Sequence, residues 1–158
     1  MTYAIQGLDP AAFAPLFAMG DAELAANRAV RVTAEADRGY PCRVSLQDAA
    51  RGEELILLHH TSHPVETPYR SAYAIFVRKG AQPAHFVDSL PPVFEGRPLG
   101  LRGFDAQGVL RDARLALPGQ AEEKILELLA NPAIAYIDAH NAAHGCFAAR
   151  VERHGDAS

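Results

Sequence analysis

The stretch AHNAAHGC, residues 139–146, gathers the side chains best suited to chemistry. His140 and His144 stand four apart, Asn141 follows the first, and Cys146 closes the run. On a helix the two histidines would share a face and could hold a metal together. The flanks argue against a helix, because isoleucine and tyrosine alternate with alanine and Asp138 before the run and Gly145 interrupts it. As a hairpin, His140 ends one strand, Asn141 to Gly145 form the loop, and Cys146 opens the next strand. His140 and Cys146 then become cross-strand neighbours, with Asp138 near Ala148 and diagonal to Arg150. A thiol beside an imidazole can act as a nucleophile. The same residues also fit a plain turn, with Cys146 serving as a small apolar group.

Two further clusters compete for a role. HHTSHP puts His59, His60 and His63 within five residues, which suggests metal ligation. On a strand His59 and His60 point to opposite faces, and the only carboxylate close by is Glu66. The spacing matches no zinc signature, so a polar strand end is the simpler reading. GYPCRVS and TPYR each set a proline ahead of an arginine, Arg43 or Arg70. Arginine offers a planar fork for carboxylates or phosphates. Converging with His140, the two would form a small anion pocket; apart, they are surface arginines.

Stepping outward, the elements that must position these residues follow from period and punctuation. Asp9-Pro10 reads as a helix start, with a second short helix in GDAELAAN. AVRVTAEAD alternates, setting Val30, Val32 and Ala34 against Arg31, Thr33 and Glu35. EELILLHH and SAYAIFVRK read as central strands covered on both faces. Residues 81–98 hold four of the eleven prolines and are expected to run irregularly over the surface. LGLRGFDAQGVLRDARLAL is a hairpin turning at Asp105 to Gly108. AEEKILELLANP is the clearest helix, with Ala121, Ile125, Leu128 and Leu129 as its apolar stripe. AIAYIDAH and CFAARVER complete the set as strands. Short links and a hairpin favour an α+β single domain: a largely antiparallel sheet with a few short helices packed on it. The domain is expected over 1–153, with 154–158 as a flexible C-terminal tail.

Composition narrows the partners. The 158 residues carry 49% hydrophobic and 22% charged side chains, ordinary for a globular protein. The net charge is −4 and the arginines are scattered, so nucleic-acid binding has no support. No export signal and no apolar run of membrane-spanning length is visible, which makes the cytoplasm the expectation. Cys42 and Cys146 should then be reduced thiols. Phosphate-loop, dinucleotide-binding, serine-hydrolase, C-x-x-C and H-E-x-x-H patterns are absent.

FAPLFAMGDAELAA, YPCRVSLQDA, TPYRSAYAIFVR and AYIDAHNAAHGCFAARVER, in that order, resemble a bacterial family known as domain of unknown function 1203. The likeness runs from about Phe13 to Arg153. It implies a bacterial single-domain protein and brings no activity, cofactor or substrate. Its motifs fall on Pro41, Cys42 and Arg43, on Pro68, Tyr69 and Arg70, and on His140, Asn141, Gly145 and Cys146; HHTSHP and His144 lie outside them. Together the readings point to one polar pocket lined by Arg43, Arg70, Tyr69, His140 and Asn141, binding a small anionic ligand, with the two cysteines at its edge. Catalysis stays open; if it occurs, Cys146 or Cys42 is the nucleophile and His140 its acid or base. No metal and no cofactor is called for. The alternative is a structural or interaction module in which the motifs serve the fold. A homodimer is compatible with base rates for soluble oligomers, though no residue argues for it.

Overall fold

Strand β1 (Thr2–Gln6) buries three consecutive residues, Tyr3, Ala4 and Ile5, and is paired on both sides within a sheet. The computed structural model describes residues 2–155. A 3-10 turn, Pro10–Ala12, follows; the Asp9 carboxylate accepts from the Ala11 amide, as the Asp-Pro pair leads one to expect. Two short helices, α1 (Ala14–Phe17) and α2 (Asp21–Ala26), lead into β2 (Ala29–Thr33), β3 (Glu54–His63) and β4 (Ser71–Arg78). Then come β5 (His85–Val87), β6 (Leu99–Phe104), β7 (Leu110–Ala116), α3 (Ala121–Leu129), β8 (Tyr136–Asn141) and β9 (Phe147–His154). The fold is α+β, and every pairing between strands is antiparallel.

The strands form two sheets rather than one. β5-β1-β9-β8-β6-β7 make a six-stranded sheet and β2-β3-β4 a three-stranded one. Ile137, Ala139, Leu99 and Leu101 of the larger sheet share a core with the apolar stripe of α3. That stripe is Ala121, Ile125, Leu128 and Leu129, all buried, so the period-3.6 pattern located the packing face. On the other side, Phe147 joins Ile56, Leu58, Ile75 and Val77 of the smaller sheet. His63 of β3 meets Phe104 of β6, with ring centroids 4.0 Å apart. Residues near the ends of β4, β6, β8 and β9 therefore face a seam between the two sheets.

Several expectations change. β3 is central, but β4 is the edge of its sheet, relieved only by a bridge from Cys42 to Phe76. Val30 pairs with Leu57 on the outer face and is 52% exposed, so the alternation of β2 reported a face that stays partly wet. The proline-rich 81–98 segment is not wholly superficial, because Val93 and Phe94 enter the main core. β9 runs through His154 and Gly155 follows it outside any strand, while 156–158 of the proposed tail lie outside the described residues. Among the described residues no helix is long and apolar enough to cross a membrane.

Candidate functional site

The β8–β9 hairpin sets the geometry. The pairing shifts between Ala139 and His140, so His140 lies opposite Phe147, not Cys146. Asn141 takes the place facing Cys146, its amide donating to the Cys146 carbonyl at 2.9 Å. Gly145 turns the chain at φ 81° and its amide donates to the Asn141 carbonyl at 2.8 Å. A one-residue change of register exchanges faces on a strand. It separates His140 from the thiol, and the expected His140–Cys146 pair is not formed. Asp138 likewise stands directly across from Arg150 rather than diagonal to it.

Two adjoining clefts result. The outer one, about 410 Å³, opens between the start of β4, β6 and the hairpin, and Arg70, Arg102 and His140 line it. The inner one, about 310 Å³, is bordered by Arg43, Arg97, Asn141 and Cys146. Tyr73 and His144 belong to both, so they form the shared wall. The single pocket expected from sequence is thus divided: Arg70 and His140 fall on one side, Arg43 and Asn141 on the other. Tyr69 and Cys42 line neither cleft. Tyr69 rests its ring edge on Phe104 and offers its carbonyl to His63 Nδ1 at 2.8 Å. Cys42 is 0% exposed, and its sulfur accepts from the amides of Val44, Ser45 and Arg78 at 3.3–3.5 Å. A thiol so enclosed holds a turn and offers no access to a substrate.

In the outer cleft one carboxylate decides the electrostatics. Arg102, Asp138 and Arg150 form a row across β6, β8 and β9. Asp138, fully buried, takes both its contacts from Arg150, at 2.7 and 3.1 Å, a bidentate pair. Arg150 is fixed further by lying 4.3 Å above the Tyr136 ring. Arg102 is left with no hydrogen bond or ion pair among the described residues. Among the described residues no Asp or Glu lines this cleft, and the Arg70 guanidinium reaches the exposed Glu66 at 3.3 Å and the Val65 carbonyl at 3.5 Å. His140 Nδ1 lies 2.9 Å from the Gly145 carbonyl, an acceptor, so the proton sits on Nδ1 and Nε2 keeps a lone pair. Burial, aided by the positive charge of Arg102, pushes His140 below the usual histidine range and keeps the imidazole neutral at neutral pH.

The inner cleft joins residues 103 positions apart. Arg43 is 2% exposed and donates from Nε to the Phe147 carbonyl at 2.7 Å, from Nη1 to the Pro41 carbonyl, and from Nη2 to Cys146 Sγ at 3.1 Å. Among the described residues no carboxylate forms an ion pair with it. Burial lowers the Arg43 guanidinium from its ordinary range, and the Cys146 sulfur offsets part of that effect. Arg97 by contrast is closed by Asp48, at 2.9 and 3.0 Å. Asn141 donates from Nδ2 to Cys146 Sγ at 3.4 Å, and its buried Oδ1 has no partner among the described residues. An unpaired buried acceptor costs about 1–3 kcal/mol. The loop carrying Arg43 is pinned from both sides: Leu8 donates to the Arg43 carbonyl and Ala84 to that of Val44, each at 2.9 Å. Gly7 is obligatory there, since a Cβ would lie 1.7 Å from the Val44 oxygen.

The Pro-Cys-Arg and His-Asn-x-x-x-Gly-Cys segments therefore meet in space, and the match to a family model covers both. The chain belongs to the family described as protein of unknown function (DUF1203). The model matches residues 39–153, which take in both clefts and leave out β1, α1, α2 and β2. No curated protein and no solved structure matches the chain. The family segment also holds HHTSHP, whose histidines disperse: His59 is exposed, His60 meets Phe13 edge-on, and His63 is buried against Tyr136. Among the described residues no three His, Cys, Asp or Glu side chains converge as metal ligands do. Sequence reading missed Arg102, Arg97 and Tyr73. The one signal for Arg102 was its place on a predicted hairpin strand; the pairing of that strand with the one carrying Asp138 came only from the structure.

Proposed function

We propose that the protein binds a small anion bearing a hydroxyl group, such as hydrogen phosphate or a hydroxycarboxylate, in the outer cleft. The observation that carries this reading is Arg102, a half-buried guanidinium without a partner among the described residues, in a cleft lined by no carboxylate. Arg102 would take the anionic oxygens through charge-assisted hydrogen bonds, with Arg70 as the more mobile second donor. Neutral His140 would accept from the ligand hydroxyl at Nε2, which selects a protonated oxygen over a bare anion. Both cysteines are free thiols, which fits a reducing compartment such as the cytoplasm.

Isothermal titration with phosphate, and separately with lactate, tests the reading. Saturable binding to the native protein is expected, and Arg102→Met should weaken it about tenfold or more, the worth of one hydrogen bond to a charged group. Binding that persists unchanged in Arg102→Met, or no binding at all, would overturn it. A second reading, in which motif residues serve the fold, is favoured by Cys42 and Tyr69. Their sulfur and carbonyl accept hydrogen bonds that hold the 42–45 turn and His63.

A further inference from the structure

We infer that Cys146 in the inner cleft is a peroxide-reactive thiol, oxidised by an organic hydroperoxide to a sulfenic acid. Cys146 is partly exposed and lines the cleft, whereas the residues that hold its sulfur are buried: Arg43 is 2% and Asn141 8% exposed. Both donate to Sγ, at 3.1 and 3.4 Å. Reactive cysteines occupy such electropositive, partly exposed places, and inert ones resemble the enclosed Cys42. A second observation is independent of the thiol. Asn141 lines the cleft, and its buried Oδ1, on the same amide whose Nδ2 reaches Sγ at 3.4 Å, has no donor among the described residues. A thiol converted to S–OH gains an O–H donor beside that orphan acceptor. Pro41, Leu57, Ala74 and Phe76 give the cleft an apolar side, alongside its polar residues Arg97 and His144, which suits a hydroperoxide with a hydrocarbon body.

The step balances without another reagent. Sγ attacks the terminal oxygen of ROOH, the S–O bond forms and the O–O bond breaks. Sulfur is oxidised by two electrons and the peroxide is reduced to the alcohol ROH. The thiol proton passes to the leaving alkoxide oxygen, which the Arg43 N–H is placed to stabilise. The proposal is independent of anion binding next door: phosphate titration reads Arg102, and sulfur oxidation reads Cys146.

Cumene hydroperoxide is added to the reduced full chain in the presence of dimedone, and the labelled peptide is located by mass spectrometry. The label is expected on Cys146 and absent from Cys42, forming about tenfold faster than on free cysteine, and faster with cumene hydroperoxide than with hydrogen peroxide. Cys146→Ser should abolish it. Arg43→Met should slow it about tenfold, the kinetic equivalent of one lost charge-assisted hydrogen bond. Should Arg43→Met fail to fold, Asn141→Ala supplies the same test, with slower formation and a shorter-lived sulfenic acid. Label on Cys42 first, a rate no greater than that of free cysteine, or an Asn141→Ala protein that matches the native one would each overturn the proposal. Equal rates with the two peroxides would remove the organic ligand class.

Discussion

The two clefts share Tyr73 and His144 yet treat their arginines in opposite ways. Arg43 is shut in, its guanidinium held by the Phe147 and Pro41 carbonyls and by the Cys146 sulfur. Arg102 has lost the competition for Asp138 to Arg150 and faces open space. A charge enclosed by fixed acceptors stabilises one conformation and tunes what it touches. A charge left without a partner is available to something that comes and goes. Under the proposed function the difference separates a built-in group from a binding group, and substitutions at each should respond differently.

The largest expected effect comes from the support behind the inner cleft. Gly7→Ala would drive a methyl into the Val44 carbonyl, a contact no side-chain rotation relieves. The β1 end and the Arg43 loop must part, breaking the bonds from Leu8 and Ala84. A loss of about 3 kcal/mol or more is expected in urea denaturation. At the concentrations where the variant stays folded, dimedone labelling of Cys146 should fall while phosphate binding persists. Loss of both together would mean that the clefts are one mechanical unit.

Next is Arg43→Met, which keeps the stem and removes the donors. Two carbonyls and a sulfur lose their partners inside the protein, so about 2–4 kcal/mol of stability should disappear. A change below about 0.5 kcal/mol, typical of surface positions, would show that the enclosed arginine is no more built-in than Arg102.

The contrast was only partly legible in the sequence. The α3 stripe, the turn at Asp105 to Gly108 and the β8–β9 hairpin follow local rules of period and turn chemistry, and the structure has all three. β1 was not legible, because its burial comes from pairing with β5 and β9, strands far off in sequence that begin at His85 and Phe147. The hairpin was found but its register was not: one bulge at Ala139/His140 replaced His140 with Asn141 as the residue facing Cys146. Arg102 and Arg150 both stand opposite Asp138, and no local pattern says which one wins. That choice depends on the Tyr136 ring and the Ser62 carbonyl, which engage Arg150 from neighbouring strands. Residue types were readable, whereas partners that tertiary packing assigns were not.

A smaller effect, on pH, tests the neutral state of His140. Burial lowers its proton affinity in the folded chain, and the same cause acts on His60. The unfolded chain therefore binds more protons in the window between the lowered folded pKa and the usual value near 6.5. Stability should be full above about 6.5, fall as pH drops through that window, and level off once the folded state is also protonated. The slope per histidine cannot exceed about 1.4 kcal/mol per pH unit. His140→Asn should remove part of the slope and leave the His60 part. Saturating phosphate should alter the His140 part and leave the His60 part, because of these two rings His140 lines the outer cleft and His60 does not. An unchanged slope in His140→Asn would mean that the imidazole titrates like a solvated one.

The smallest effect on stability, and the sharpest test of the contrast, belongs to Arg102→Met. The guanidinium has no hydrogen bond or ion pair among the described residues, so its removal orphans no acceptor, and methionine retains the apolar part of the stem. Unfolding free energy should move by less than about 0.5 kcal/mol in the absence of ligand. With phosphate at a hundredfold excess over its dissociation constant, the native protein should gain about 2.7 kcal/mol by linkage, and the variant, binding about tenfold or more weakly, should gain about 1.4 kcal/mol or less. Thermal melts with and without phosphate measure both quantities on the same samples. If Arg102→Met destabilises as much as Arg43→Met, the arginine belongs to the fold and the outer cleft loses its anchor. If it leaves stability and the phosphate gain alike untouched, Arg70 holds the anion, and the row Arg102–Asp138–Arg150 only positions the sheet.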